Sequence, residues 1–143
     1  MFADKILLAS DLTDKSRAAE RTACALAERL KVKLVILHVI PERASFGMST
    51  TLPELSDPER LNRKLQAIGE QDAPDAVRLL RNGLQAETIV NVAETEAVDL
   101  IIVGTQGRTG ISRAVLGSVA EAVVRQSTCP VMVVKPTVNM PAT

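Results

Sequence analysis

Four short runs of nearly unbroken apolar residues limit what this 143-residue chain can fold into. They are Lys5-Ile6-Leu7-Leu8-Ala9, Lys33 to Ile40, Leu100-Ile101-Ile102-Val103 and Val131-Met132-Val133-Val134. None alternates polar with apolar residues, the pattern of strands covered on both faces. Between the runs the apolar spacing turns helical. Ala19, Ala23, Leu26 and Leu30 form one stripe, and Leu61, Leu65 and Ile68 a second. Ala86, Ile89, Val90, Ala93 and Ala97 form a third, and Leu116, Ala120 and Val123 a fourth. Strand and helix alternating along the whole chain predict an α/β fold. The expected architecture is a doubly wound, five-stranded parallel sheet with helices on both faces, in a single domain over residues 1–143.

Local signals place the boundaries. Thr13 and Asp14 are N-cap candidates for a first helix running to about Leu30. Pro41 stops the second strand. Glu42 to Leu55 carries Ser, Thr, Gly and Pro without a period and reads as a loop. Asp57 caps the next helix, with Pro58 in its first position and Gly69 marking its end. Val77 to Arg81 is a third strand, and Asn82-Gly83 turns the chain into a helix from Gln85 to Ala97. With two arginines, the third strand suits an edge of the sheet. Val131–Val134 at the other edge is a bare apolar pairing surface, which a homodimer joining the two copies of this strand removes. From Pro136 the chain is a frayed tail.

Composition excludes several functions. Lys plus Arg and Asp plus Glu each number 17, so no basic excess favours nucleic acid. Phe2 and Phe46 are the only aromatic residues, so base-stacking platforms are missing. No apolar run approaches the roughly 20 residues of a membrane helix, and the N-terminal run is too short for a signal peptide. A cytoplasmic location is the default expectation. Cys24 and Cys129 are then expected as unpaired, largely apolar residues.

The functional signal lies in Asp99–Ser118, DLIIVGTQGRTGISRAVLGS. A buried strand runs into Gly104, Gly107, Gly110 and Gly117, and Ser118 opens a helix. Such a loop converges backbone N–H groups on one point, and the helix dipole favours an anion there. Glycine tolerates positive φ and admits a close ligand. The spacing is Gly104-x2-Gly107-x9-Gly117-Ser118, which is neither a P-loop nor G-x-G-x-x-G. In a doubly wound sheet the ligand sits beyond the carboxyl ends of the strands. The loops after strands one, two and four then supply Asp11 for ribose hydroxyls, backbone at Val39 for an adenine edge, and the glycines with Ser118 for phosphates. Arg108 and Arg113 are positioned in sequence to add charge-assisted bonds.

The blocks ILLASD, LVILHVIPE, AVDLIIVGTQGRTG and VLGSVAEAVVRQSTCPVMVV resemble the universal stress protein family, in its ATP-associated subgroup, over nearly the whole chain. The resemblance implies strand order 3-2-1-4-5 and dimers that often pair through the fifth strand. It also implies ATP, with or without Mg2+, as the ligand. Residue by residue, it assigns ribose contact to Asp11 and a main-chain adenine contact to Val39. Phosphate contacts fall to Gly104, Gly107, Gly117 and Ser118, with a further N–H from Val119. Leu12 departs from the pattern, because family members usually carry Gly after the Asp. The helix between the second and third strands is also short.

Plainer roles compete at single residues. Asp11 suits helix capping. Arg108 and Arg113 suit a solvated loop. His38, inside an apolar strand, suits a hydrogen-bonded core position. Ser118 has no nucleophile-elbow context, so catalysis by it is not expected. The expected function is an ATP-binding stress-response regulator that is not an enzyme. Its rivals are a slow ATP hydrolase or phosphoryl-transfer enzyme, and a nucleotide-free dimeric interaction module.

Overall fold

The computed structural model describes residues 4–41, 57–105 and 116–136. In chain order the elements are β1 (Lys5–Ala9), α1 (Arg17–Leu30), β2 (Lys33–Pro41), α2 (Pro58–Ala67) and β3 (Val77–Gly83). They continue as α3 (Gln85–Thr95), β4 (Leu100–Gly104), α4 (Ser118–Gln126) and β5 (Val131–Val134), and a 3-10 turn at Asp14–Ser16 precedes α1. The five strands form one sheet in the order β3-β2-β1-β4-β5, with every pairing parallel. At its centre Leu7 of β1 lies between Val35 of β2 and Ile101 of β4.

Alternating side chains on each strand feed two separate cores. Ile6, Leu8, Leu34, Ile36, Leu100 and Ile102 pack with Ala19 and Ala23 of α1 and Leu65 of α2. Leu7, Val35, Leu37, Ile101 and Val103 pack on the other face with Ile89 of α3 and Ala120 and Val123 of α4. This is why the central strands read as continuous apolar runs. Ile6, Leu7 and Leu8 are all fully buried, and each such residue contributes about 1.5–3 kcal/mol.

Edge position explains the charges on β3. Arg78 folds back and donates to the carbonyl oxygens of Ile68 (2.6 Å), Ala76 (3.0 Å) and Ala73 (3.2 Å), closing the connection that follows α2. That connection turns at Gly69, whose φ is +63°; a Cβ there would lie 2.9 Å from Cys24 Sγ. Asp57 does cap α2, accepting from the Glu59 N–H at 3.2 Å, with Pro58 in the first turn. Cys24 is buried, Cys129 is half-buried, and both are free.

Several expectations needed correction. Pro41 is the last residue of β2 rather than the residue after it, and it lies opposite Gly83. Asn82 and Gly83 are therefore strand residues rather than a turn, and Gly83 enters α3 at φ +150°. The helix α3 stops at Thr95, and Ala97 lies beyond it, exposed and at φ +55°. Val92 is buried where Val90 was expected, because the stripe follows the sheet it faces. Leu116 precedes α4 and is 37% exposed. Thr13 forms no side-chain cap, since the 3-10 turn intervenes before α1 begins at Arg17. The loop at 42–55 and the tail from 137 lie outside the described residues. Among the described residues no helix is long and apolar enough to cross a membrane.

Candidate functional site

A cavity of about 410 Å3 opens beyond the carboxyl ends of β1, β2 and β4. A doubly wound sheet presents its ligands there, and the volume is that of a small-molecule site. Asp11 follows β1, Val39 lies on β2, and Gly104 closes β4 at the cavity wall. Gly117, Ser118 and Val119 reach it from the start of α4, with Gly117 as the N-cap. Six residues from four separate segments are thus brought together. Gly107 and Arg108, with Gly110 and Arg113, lie outside the described residues. Ser16, Gln85 and Thr105 also line the cavity, although nothing in their spacing points to it. For Thr105 the available signal was its place inside the glycine stretch.

The β1 end is held by a dense set of short hydrogen bonds. Asp11 Oδ1 accepts from Thr13 N (2.9 Å), Thr13 Oγ1 (2.6 Å) and Ser16 Oγ (2.6 Å). The Asp11 N–H donates to Ser16 Oγ at 3.2 Å. This is an Asx turn with two hydroxyl donors added, and it fixes the carboxylate at the cavity edge. Asp11 therefore does the local structural work that its capping chemistry suggested. Next to it, Ser10 Oγ accepts the Leu12 N–H at 3.0 Å and donates to Glu20 Oε2 at 2.8 Å. Burial pushes the Glu20 carboxyl above its ordinary value near 4.5, opposed by the Ser10 bond and by Arg17 and Arg21. His38 is buried, with Nδ1 2.8 Å from the Ser10 carbonyl oxygen, so that nitrogen carries the proton and donates.

The opposite wall of the cavity is formed by the start of α4. The free N–H groups of the first turn of α4 and its positive dipole end face the cavity. Neither Gly104 nor Gly117 has positive φ; Gly117 sits at φ −63°. The conformational reason for these glycines is thus not met. At Gly104 an added Cβ would find only ordinary contacts, the nearest at 3.9 Å from the Lys15 carbonyl oxygen. Among the described residues, packing does not demand a glycine there. Among the described residues no group of three or more His, Cys, Asp or Glu can hold a metal ion.

Residues 3–135 match the sequence profile of the Universal stress protein family. The chain belongs to that family. A universal stress protein of Methanocaldococcus jannaschii is 32% identical over 139 residues, covering 92% of this chain and 81% of that one. The universal stress protein YxiE of Bacillus subtilis is 34% identical, covering 92% of this chain and 99% of its own. The solved structure of a second M. jannaschii universal stress protein superimposes with a TM-score of 0.80 at 31% identity. That superposition covers 97% of this chain and all of the other. Against the universal stress protein pattern, Leu12 now has a structural meaning. It sits at φ +64°, the left-handed region that a glycine in this place adopts without strain. Its side chain packs on the core face shared by α1 and α2, which offsets part of that cost.

Proposed function

We propose that this universal stress protein is an ATP-binding regulatory module, a cytoplasmic homodimer of single-domain chains with no catalytic role of its own. The observation that carries the reading is the convergence of Asp11, Val39 and the Gly104/Gly117–Ser118 wall on one cavity. In this reading Asp11 accepts from the ribose hydroxyls and the β2 backbone at Val39 meets the adenine edge. Gly104, the α4 N-terminus with Ser118 and Val119, and the loop residues Gly107 and Arg108 hold the phosphates. Any Mg2+ arrives bound to those phosphates rather than in a protein cage. Two universal stress proteins of the same fold, each 21% identical, have been solved in complex with cAMP and with dAMP. At that identity they bear on the fold alone, and the residues of this chain carry the proposal.

The dimer reading rests on β5, an apolar edge strand whose Met132 is 36% exposed. Isothermal titration of the pure protein with ATP tests the main claim. Saturable heat with a matching thermal shift is expected, and no heat and no shift would retire it. Turnover of labelled ATP by the same preparation would instead favour a hydrolase.

A further inference from the structure

Thr105 directly follows Gly104, and its backbone is committed at both ends. Its N–H donates to the Val134 carbonyl oxygen at 3.1 Å, and its own carbonyl accepts the N–H of Gly117. These bonds tie the end of β4 to β5 on one side and to the N-cap of α4 on the other. The side chain is treated differently. Thr105 is 3% exposed, and its Oγ1 is buried with no hydrogen-bond partner among the described residues.

A buried hydroxyl left unpaired is unfavourable, and a valine would fill the same space without that cost. Among the described residues nothing pairs with the hydroxyl, and Thr105 lines the cavity, so a turn about χ1 would bring the hydroxyl to a partner seated there. We propose that the Thr105 hydroxyl is a further nucleotide-contacting group, donating a hydrogen bond to a phosphate oxygen of the bound adenine nucleotide. This rests on the adenine-nucleotide reading of the cavity given above.

Position selects the phosphates over the nucleoside. Thr105 lies between Gly104 and the α4 N-terminus, to which its carbonyl is bonded, whereas Asp11 and Val39 come from β1 and β2. Chemistry points the same way. A phosphate offers only acceptor oxygens, and a threonine hydroxyl supplies one donor. Rotation about χ1 alone re-aims the hydroxyl, while the two backbone hydrogen bonds keep the main chain in place.

The test compares the parent with Thr105→Val, Thr105→Ala and Thr105→Ser by calorimetric titration with ATP, AMP and adenosine, alongside melting of the nucleotide-free proteins. Loss of a bond to a charged group should weaken ATP and AMP binding to Thr105→Val roughly 10- to 100-fold. Adenosine affinity should stay at the parent's, Thr105→Ser should recover most of the ATP affinity, and nucleotide-free Thr105→Val should melt no lower than the parent. Thr105→Ala carries the same comparison if the valine variant does not fold. Unchanged ATP affinity in a folded variant lacking the hydroxyl overturns the proposal while leaving the nucleotide reading intact. An equal loss for adenosine overturns it too, since the hydroxyl would then not act on phosphate. A parent that binds none of the three removes both readings.

Discussion

Ser16 Oγ donates to Asp11 Oδ1 at 2.6 Å and accepts the Asp11 N–H at 3.2 Å, so one buried hydroxyl grips both ends of the residue at the cavity edge. Thr13 holds the same carboxylate oxygen through a half-buried side chain. The carboxylate is consequently positioned before any ligand arrives. Pre-positioned groups lose less entropy on binding.

Ser16→Ala should therefore lower affinity for ATP several-fold and reduce folding stability by about 1 kcal/mol, the usual net worth of one such bond. Titration calorimetry and urea denaturation measure the two effects separately. Lost stability with unchanged ATP affinity would leave Asp11 with a structural role only.

Gly104→Ala separates ligand space from folding. The added methyl finds ordinary contacts, the nearest at 3.9 Å, so the fold should be unharmed. Removing a glycine's backbone freedom should even raise stability by about 0.5 kcal/mol. ATP binding should weaken by roughly tenfold, about 1.4 kcal/mol, if a ligand lies against the Gly104 backbone at the cavity wall. Equal affinity in the variant would mean that no ligand lies against Gly104.

Glu20 predicts a pH dependence. Its folded carboxyl titrates above the ordinary value, chiefly through burial, so the folded state holds that proton more tightly than the unfolded state. By linkage its contribution is fully present below pH 4.5 and is lost as pH rises from there through the folded value. Glu20→Gln keeps an acceptor for Ser10 Oγ and removes the charge. The variant should be at least as stable as the parent at neutral pH, and its stability should fall less steeply just above pH 4.5. Denaturant midpoints measured across that window check this, and identical slopes in the two proteins would count against it.

Met132→Lys tests the dimer. A charge on an apolar edge strand blocks edge-to-edge pairing. Light scattering after size exclusion should show a dimeric parent and a monomeric variant at micromolar concentration. A monomeric parent would end the dimer proposal.

The sheet was legible because both its faces are covered. Burial on two sides erases alternation in Lys5–Ala9, and Val131–Val134 is an apolar run although it lies at the edge and none of its residues is fully buried; both have the limits they have in the fold. The candidate site was legible where glycines and a helix start cluster in sequence. It was less so where residues are chosen by packing. Nothing local distinguishes Val92 from Val90, or marks Asn82-Gly83 as strand rather than turn. Pairing with Ile40 and Pro41 decides the latter, and that partner lies about forty residues away.

By itself the sequence determined the α/β class, the positions of the strands, the cap at Asp57 and the clustering of glycines ahead of a helix start between Gly104 and Ser118. All of these follow from local spacing, or from residue chemistry acting within a few positions. Only the tertiary structure decided that Ser16 and Thr105 join Asp11, Val39 and Gly117 at one cavity, and that Leu12 sits in a glycine's conformation. It also decided which hydroxyl is satisfied and which is not. The Ser16 hydroxyl is bonded to Asp11 through a local turn, whereas that of Thr105 is buried with no partner among the described residues. Satisfaction of a buried polar atom depends on neighbours from distant segments, and the order of residues along the chain does not record it.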